Sequence, residues 1–236
     1  MSSDDGRPAA PIDHDLLAAV TELGTALREL VDTSVATTVG AAELRAAAAE
    51  ARAVTARLAA SRRALTQLPS LDDPIAFRRV YSPVTGVGSA IAPPLQLRLS
   101  DGGVVGEATL GMAYEGPPGY LHGGMSGLLM DQVLGAAAIA AGLWGMTARL
   151  ELDYRGPVPL QQPLVFRGRV SEDAGRKVVT TGTIATAAAQ EQVLVEASGI
   201  FVIPRPEKLS AYFGAITDAS GRHAPPGRAT DATGLA

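Results

Sequence analysis

Residues 114–160 read YEGPPGYLHGGMSGLLMDQVLGAAAIAAGLWGMTARLELDYRGPVPL. Three signals follow one another in this stretch. A glycine- and proline-rich loop, 114–124, ends in His122-Gly123-Gly124. An almost wholly apolar segment, about 124–141, comes next, and then a strand-like run at 147–154 (TARLELDY). Gly and Pro punctuate loops, and a helix without a polar face needs cover on most sides. The loop therefore delivers the chain into a buried helix, and one charged residue, Asp131, interrupts it.

The flanking sequence supplies the cover. Upstream, 95–100 (LQLRLS) alternates apolar and polar residues, Asp101-Gly102-Gly103 is a turn, and 104–110 (VVGEATL) returns. That is the pattern of a hairpin. Downstream, 164–171 (LVFRGRVS) follows a proline-containing corner, and 177–187 (KVVTTGTIATA) and 192–203 (QVLVEASGIFVI) complete a set of four meandering strands. Two strands, a buried helix and four strands make an α+β order. A long antiparallel sheet wrapped around one central helix satisfies it. Pro204 and Pro206 close the sheet, so this domain is expected over 95–206.

The rest divides by composition. Residues 1–12 are small and polar and read as disordered. Residues 13–68 read as a helical extension. Asp13 is the expected N-cap, and Leu16, Leu23 and Leu30 recur every seven residues with Val20 and Leu27 between them. A break over 32–40 precedes a second helix, from about 41 to 68, striped by Leu44, Ala51, Leu58 and Leu65. Heptad stripes favour an antiparallel pair, packed together or on the main domain, or else an arm for assembly. Residues 69–94 carry five prolines and read as a linker that wraps the next domain. Residues 207–236 read as a flexible tail.

Bulk properties narrow the function. The chain has 236 residues and a formal net charge of -4, which argues against a general nucleic-acid binder. It holds no cysteine, so thiol catalysis and thiolate metal sites are excluded. Three histidines lie far apart and match no ligand spacing, so no metal is expected. The N-terminus lacks the apolar core of a signal peptide, and no stretch approaches an uninterrupted membrane span. A cytoplasmic protein is expected.

His122-Gly123-Gly124 stands where the buried helix begins. A helix start leaves N–H groups unpaired and partly positive, and glycine lets a ligand approach them. That suits a developing oxyanion, although the same three residues also make a simple tight turn. Asp131 is expensive to bury unpartnered. It reads either as a general base or nucleophile, or as a structural carboxylate bonded to a nearby Thr or backbone group.

Together these residues resemble the hotdog-fold acyl-CoA thioesterases of the phenylacetate-degradation and human acyl-CoA thioesterase type. In that family an Asp follows the His of the HGG motif by nine positions, as Asp131 follows His122. The resemblance implies a hotdog fold over about half the chain, hydrolysis of an acyl-CoA thioester, and no cofactor beyond the CoA of the substrate. It implies Asp131 as base or nucleophile, the Gly123 N–H as oxyanion donor with Gly124 beside it, and Thr147 orienting Asp131 or the water. It also implies a homodimer, commonly a homotetramer, with Asp131 and Gly123 of one site coming from different subunits. Some members carry an upstream Asn that contacts substrate or water. This chain has no Asn and offers Glu115 and Gly116 there. His122 then either shares that role or only fixes the loop.

CoA phosphates favour Arg and Lys. Arg176 and Lys177 are the first choice, with Arg155, Arg167 and Arg169 behind them. Tyr114, Tyr120, Met125 and Leu128 are candidates to line the acyl pocket. Two other readings compete: an acyl-CoA hydratase or dehydratase on the same fold, and a non-catalytic acyl-CoA-binding or scaffold protein.

Overall fold

Two N-terminal helices, α1 (His14–Ala36) and α2 (Ala41–Leu58), precede a hairpin of β1 (Gln96–Ser100) and β2 (Gly103–Thr109) in the computed structural model. A short 3-10 turn (Met112–Tyr114) leads to α3 (Gly123–Ala140). β3 (Met146–Tyr154), β4 (Pro163–Ala174), β5 (Lys177–Thr186), β6 (Val195–Val202) and α4 (Pro206–Phe213) follow. The structure describes residues 12–73, 78–93, 95–218 and 220–223. The expected disorder of the extreme N-terminus and of the tail beyond 223 lies outside the described residues.

All six strands form one antiparallel sheet in the order β1-β2-β4-β5-β6-β3. The fold is the expected hotdog: one sheet curled about one helix. α3 buries Leu129, Met130, Val133, Leu134 and Ala138 completely. They pack in one core with Val104, Leu164, Phe166, Val178, Ile184 and Val195. Each of the larger side chains, Ala138 excepted, contributes about 1.5–3 kcal/mol. Contact is close because the sheet carries glycines under the helix. A Cβ on Gly168 would fall 2.8 Å from Val133, and one on Gly182 would fall 2.7 Å from Met130.

Four expectations change. The last four strands do not form a simple meander. β3 pairs with β6 at the sheet edge, and β4 lies between β2 and β5. The proline-rich connection carries the chain across the sheet instead of turning it back. The cover on α3 is also one-sided: Gly124 is exposed, and Leu128, Asp131, Gln132 and Gly135 are half-buried. By length and composition α3 is apolar enough to reach across a membrane, yet its other side is the core of the sheet.

The third change concerns the helical extension. Asp13 caps α1 as expected, accepting the Leu16 N–H at 2.9 Å. The heptad leucines, however, stay open, Leu16 at 40%, Leu23 at 39% and Leu30 at 51%. The docked face is marked by Gly24, which is buried, and by Leu17, Val20 and Leu27, which are half-buried; Val20 and Gly24 pack on the loop 80–89. A Cβ on Gly24 would fall 2.2 Å from the Val87 carbonyl oxygen. α2 ends at Leu58 and buries no residue, and among the described residues it is not packed against α1. Beyond it, residues 64–68 use their backbone elsewhere, with the Leu68 N–H donating to the Thr217 carbonyl at 2.8 Å.

That contact bears on the fourth change. The segment expected to be a flexible tail from 207 begins instead as α4, with Pro206 at its first turn, and returns to pair Thr217 with Gln67. Residues 69–94 place several side chains in the interior. Leu71, Val80, Val84 and Ala92 are buried.

Candidate active site

One face of α3 runs antiparallel along β3. A Cβ at Gly123 would meet the Tyr154 ring and one at Gly127 would meet Leu152, while Asp131 reaches Thr147. Small residues at two of these three levels keep helix and strand close. Thr147 Oγ1 donates to Asp131 Oδ1 at 2.8 Å. The register between β3 and β6 shifts between Thr147 and Arg149, and such bulges re-aim a side chain. Asp131 is half-buried, and its Oδ2 has no hydrogen-bond partner among the described residues. The expected full burial of this carboxylate is therefore not met within one chain. It stands at the border of the covered and uncovered faces, where water reaches it.

The helix start is organised by its cap. His122 is the N-cap of α3 and its Nδ1 accepts the Gly124 N–H at 3.0 Å. The His122 carbonyl accepts from Met125 at 2.9 Å and from Ser126 at 3.3 Å. The Gly123 N–H is left with no partner among the described residues, while the Gly124 N–H is occupied. Of the two glycines, only Gly123 presents a free donor. Its carbonyl accepts the Tyr154 hydroxyl at 2.8 Å, a contact the sequence reading missed. The sequence marks Tyr154 only as the end of a strand. The signal lies in the strand's antiparallel run beside α3, which puts its last residue at the helix start.

The loop that ends in His122 is clamped on itself. Glu115 accepts the Gly119 N–H at 2.7 Å, and the Tyr114 carbonyl accepts the His122 N–H at 3.0 Å. Tyr114 is half-buried, and burial raises its hydroxyl pKa, with the Arg28 charge lowering it and the Asp32 charge raising it. Met125 and Leu128 are half-buried against the core, and Tyr120 is exposed.

The structure gathers Asp131, Thr147, His122, Gly123 and Gly124 along one helix face, but not at one point. Eight residues separate Asp131 from Gly123, about 12 Å along a helix. Arg176 and Lys177 are not gathered with the helix start in this chain. Tyr154, bonded to Gly123, pairs with Val195, which pairs with Ile184. Lys177 lies seven residues back along β5, roughly 23 Å away. Arg176 instead donates to the Ile203 carbonyl at 3.1 Å.

The remaining cations face away from α3. Arg167 bonds Gln190 at 2.6 Å, and Arg155 pairs with Glu196 at 2.8 Å, a bond that raises the Arg155 pKa. A depression of about 930 Å³ crosses this outer face between Arg167 and Arg169 on one side and Glu151 and Asp153 on the other. It contains neither Asp131 nor the helix start. It is broad and of mixed charge, and carries no pairing of a base with a free donor.

A single antiparallel sheet curled about one helix is the hotdog architecture, and it sets a half-buried carboxylate, Asp131, and a helix-start amide, Gly123, on one face of that helix. The chain belongs to the thioesterase superfamily, whose family description, "Thioesterase superfamily", matches residues 118–192. A crystal structure of a thioesterase superfamily protein is 40% identical, with a TM-score of 0.70, and the alignment covers 82% of this chain and 97% of that one. Among curated relatives, acyl-coenzyme A thioesterase THEM4 of Mus musculus is 33% identical over 98 residues, 42% of each chain. The Xenopus laevis protein of the same name is 40% identical over 67 residues, 28% of this chain and 30% of its own length. The chain thus spans less than half the length of the curated relatives it matches. The matched family segment contains His122, Gly123, Asp131 and Thr147 and excludes both N-terminal helices.

Proposed function

We propose that this protein hydrolyses acyl-CoA thioesters to the free acid and CoA. The observation that carries the reading is the pairing of a half-free carboxylate, Asp131 held by Thr147 at 2.8 Å, with an unpartnered amide at Gly123 on the same helix face. The relatives named acyl-coenzyme A thioesterase support it.

Asp131 takes a proton from water, and the hydroxide attacks the thioester carbonyl carbon. The Gly123 N–H, backed by the positive end of α3, stabilises the oxyanion. The tetrahedral intermediate collapses with cleavage of the C–S bond, and the CoA thiolate takes up the proton. In the nucleophile variant, Asp131 attacks the carbonyl carbon and expels the CoA thiolate as the C–S bond breaks, and water then cleaves the resulting anhydride and supplies the thiolate's proton. Neither route calls for a cofactor beyond the CoA that the substrate brings.

Groups about 12 Å apart cannot serve one carbonyl. A water or carboxylate and an oxyanion donor must both lie within about 3 Å of the reacting centre. We therefore infer a homodimer, with Asp131 and Gly123 of each site drawn from different subunits. Two features support it: β3 is an edge strand, and the α3 face beside it is half-open. Tetramer formation remains compatible with this pairing.

The absence of cysteine makes the test clean, because released CoA is the sole thiol in a reaction followed with a thiol-reactive chromophore. Wild type is expected to release CoA from a panel of acyl-CoAs, and Asp131→Ala to lose about 10²–10⁴-fold in kcat. Hydration of an enoyl-CoA without thiol release would sink the reading in favour of a hydratase. Unchanged turnover in Asp131→Ala would remove Asp131 from the mechanism.

A further inference from the structure

The N-terminal helix α1 lies outside the segment that matches the family, yet it touches the catalytic loop. Arg28 anchors it, donating to the Val87 carbonyl at 2.8 Å and to the Ser89 carbonyl at 2.9 Å. One turn further on, Asp32 Oδ1 accepts the Ala113 N–H at 3.1 Å across 81 residues of sequence. The approach depends on Gly111, where a Cβ would fall 2.3 Å from that carboxylate oxygen. The 112–114 turn has no side-chain cap of its own. Asp32 supplies one from another element, and a carboxylate suits exposed N–H groups at a helical start.

The turn ends at Tyr114, whose carbonyl accepts the His122 N–H at 3.0 Å. Gly116 packs tightly on the same residue, since a Cβ there would fall 2.7 Å from the His122 Cα. His122 in turn occupies the Gly124 N–H and leaves Gly123 free. A continuous set of short contacts therefore runs from Asp32 through Ala113, Tyr114 and His122 to the oxyanion donor.

We propose that Asp32 is a positioning residue for the thioesterase reaction: by accepting the Ala113 N–H it holds the 112–114 turn, and through Tyr114 and His122 it sets the direction of the Gly123 N–H. Docked α1 is then part of the active site's support, not an appendage. The charges of Arg28 and Asp32 both act on the half-buried Tyr114 hydroxyl, as expected if the charged face of α1 lies against this turn. The inference rests on the proposed hydrolysis, and its test has one readout that does not need turnover.

In the full-length protein, Asp32→Ala is expected to lower kcat about tenfold, with KM changed less than about twofold. Asp32→Asn keeps an oxygen acceptor and is expected to retain most of the activity. Leu17→Ala, on the docked face of α1 but away from the turn, controls for stability: it should lower Tm without lowering kcat. In a spectrum of protein labelled with ¹⁵N-glycine, the Gly123 amide should shift in Asp32→Ala, while Gly135, on the same helix three turns away, stays in place. Should Asp32→Ala fail to fold, Gly111→Ala displaces the same carboxylate and should give the same pair of readouts. The inference is overturned if the folded variant keeps kcat within about twofold of wild type, if Leu17→Ala loses kcat equally, or if the Gly123 amide does not move. Absent thiol release by wild type would refute the hydrolysis itself and leave the amide shift to decide the positioning.

Discussion

Thr147→Val removes one hydroxyl and leaves a β-branched side chain of nearly the same shape, so β3 should persist. What is lost is the Thr147 Oγ1 to Asp131 Oδ1 bond of 2.8 Å. A hydrogen bond to a charged group contributes about 1.5–3 kcal/mol. Asp131 is half-buried, and solvent screening places this bond near the lower figure. At about 1.4 kcal/mol per tenfold, the expected loss in kcat is about tenfold. KM should change little, because in the proposed mechanism the bond orients the base and touches no substrate. CoA release at saturating acyl-CoA gives kcat directly. A cycle with Asp131→Asn sharpens the test, since in that background Thr147→Val has no base left to orient and should cost almost nothing. If Thr147→Val keeps kcat within about twofold, or if its effect is equally large without the Asp131 carboxylate, the orienting role is wrong.

His122→Ala removes the cap on the Gly124 N–H and should cost about 1 kcal/mol, a Tm loss of roughly 2–4 °C. His122→Asn, a good N-cap, should restore both Tm and kcat by thermal melts and CoA release. Restored Tm without restored kcat would give the imidazole a chemical role instead. At Tyr114, burial raises the folded-state pKa above the ordinary value near 10. Its stabilising contribution is therefore full below about pH 10 and is lost as pH rises through the folded value. Tyr114→Phe should flatten that alkaline decline in urea melts, and an unchanged slope would refute it.

The local grammar of this fold is legible, and its closure is not. Alternation in LVFRGRVS marks β4 because Phe166 and Gly168 meet α3 while Arg167 and Arg169 face away. Nothing in that alternation says which strand lies beside it, so the crossing of β3 to the sheet edge was out of reach. The heptad leucines of α1 misled for a related reason. Periodicity identifies an apolar stripe but not its partner, and the partner here is the Gly88 loop, reached by Gly24. The site divides the same way. His122, Gly123, Asp131 and Thr147 fall in one stretch whose spacing is itself a signal. The Tyr154–Gly123 and Asp32–Ala113 bonds join distant residues, and no motif announces them. Arg176 and Lys177 are legible as a cationic pair at a strand start after a glycine turn, which carries no information on their distance from the helix start. The direction of the strands, with β3 leaving the C-terminal end of α3, puts the start of β5 at the end of the helix away from Gly123.

The position of Asp131 follows from what the sheet leaves undone. An apolar helix needs cover all round, and six strands of one chain supply it on one side. The shortfall is on the flank that carries Leu128, Asp131 and Gly135, and it adjoins β3. That strand has an unpaired edge, a row of N–H and C=O groups that a second strand can satisfy. In the proposed homodimer, two deficits on one flank are met by one event, the pairing of two β3 edges that brings a second α3 alongside. Such pairing would cover the helix, complete the sheet and carry a foreign Gly123 amide toward each Asp131. A carboxylate at that border is expensive only while the flank is closed without a partner group. In the single chain it stays half-open and bonded to Thr147, so folding does not have to bury it bare. On this argument the cost of placing a charge in an apolar helix is deferred from folding to assembly, where the substrate and the second subunit arrive to make use of it.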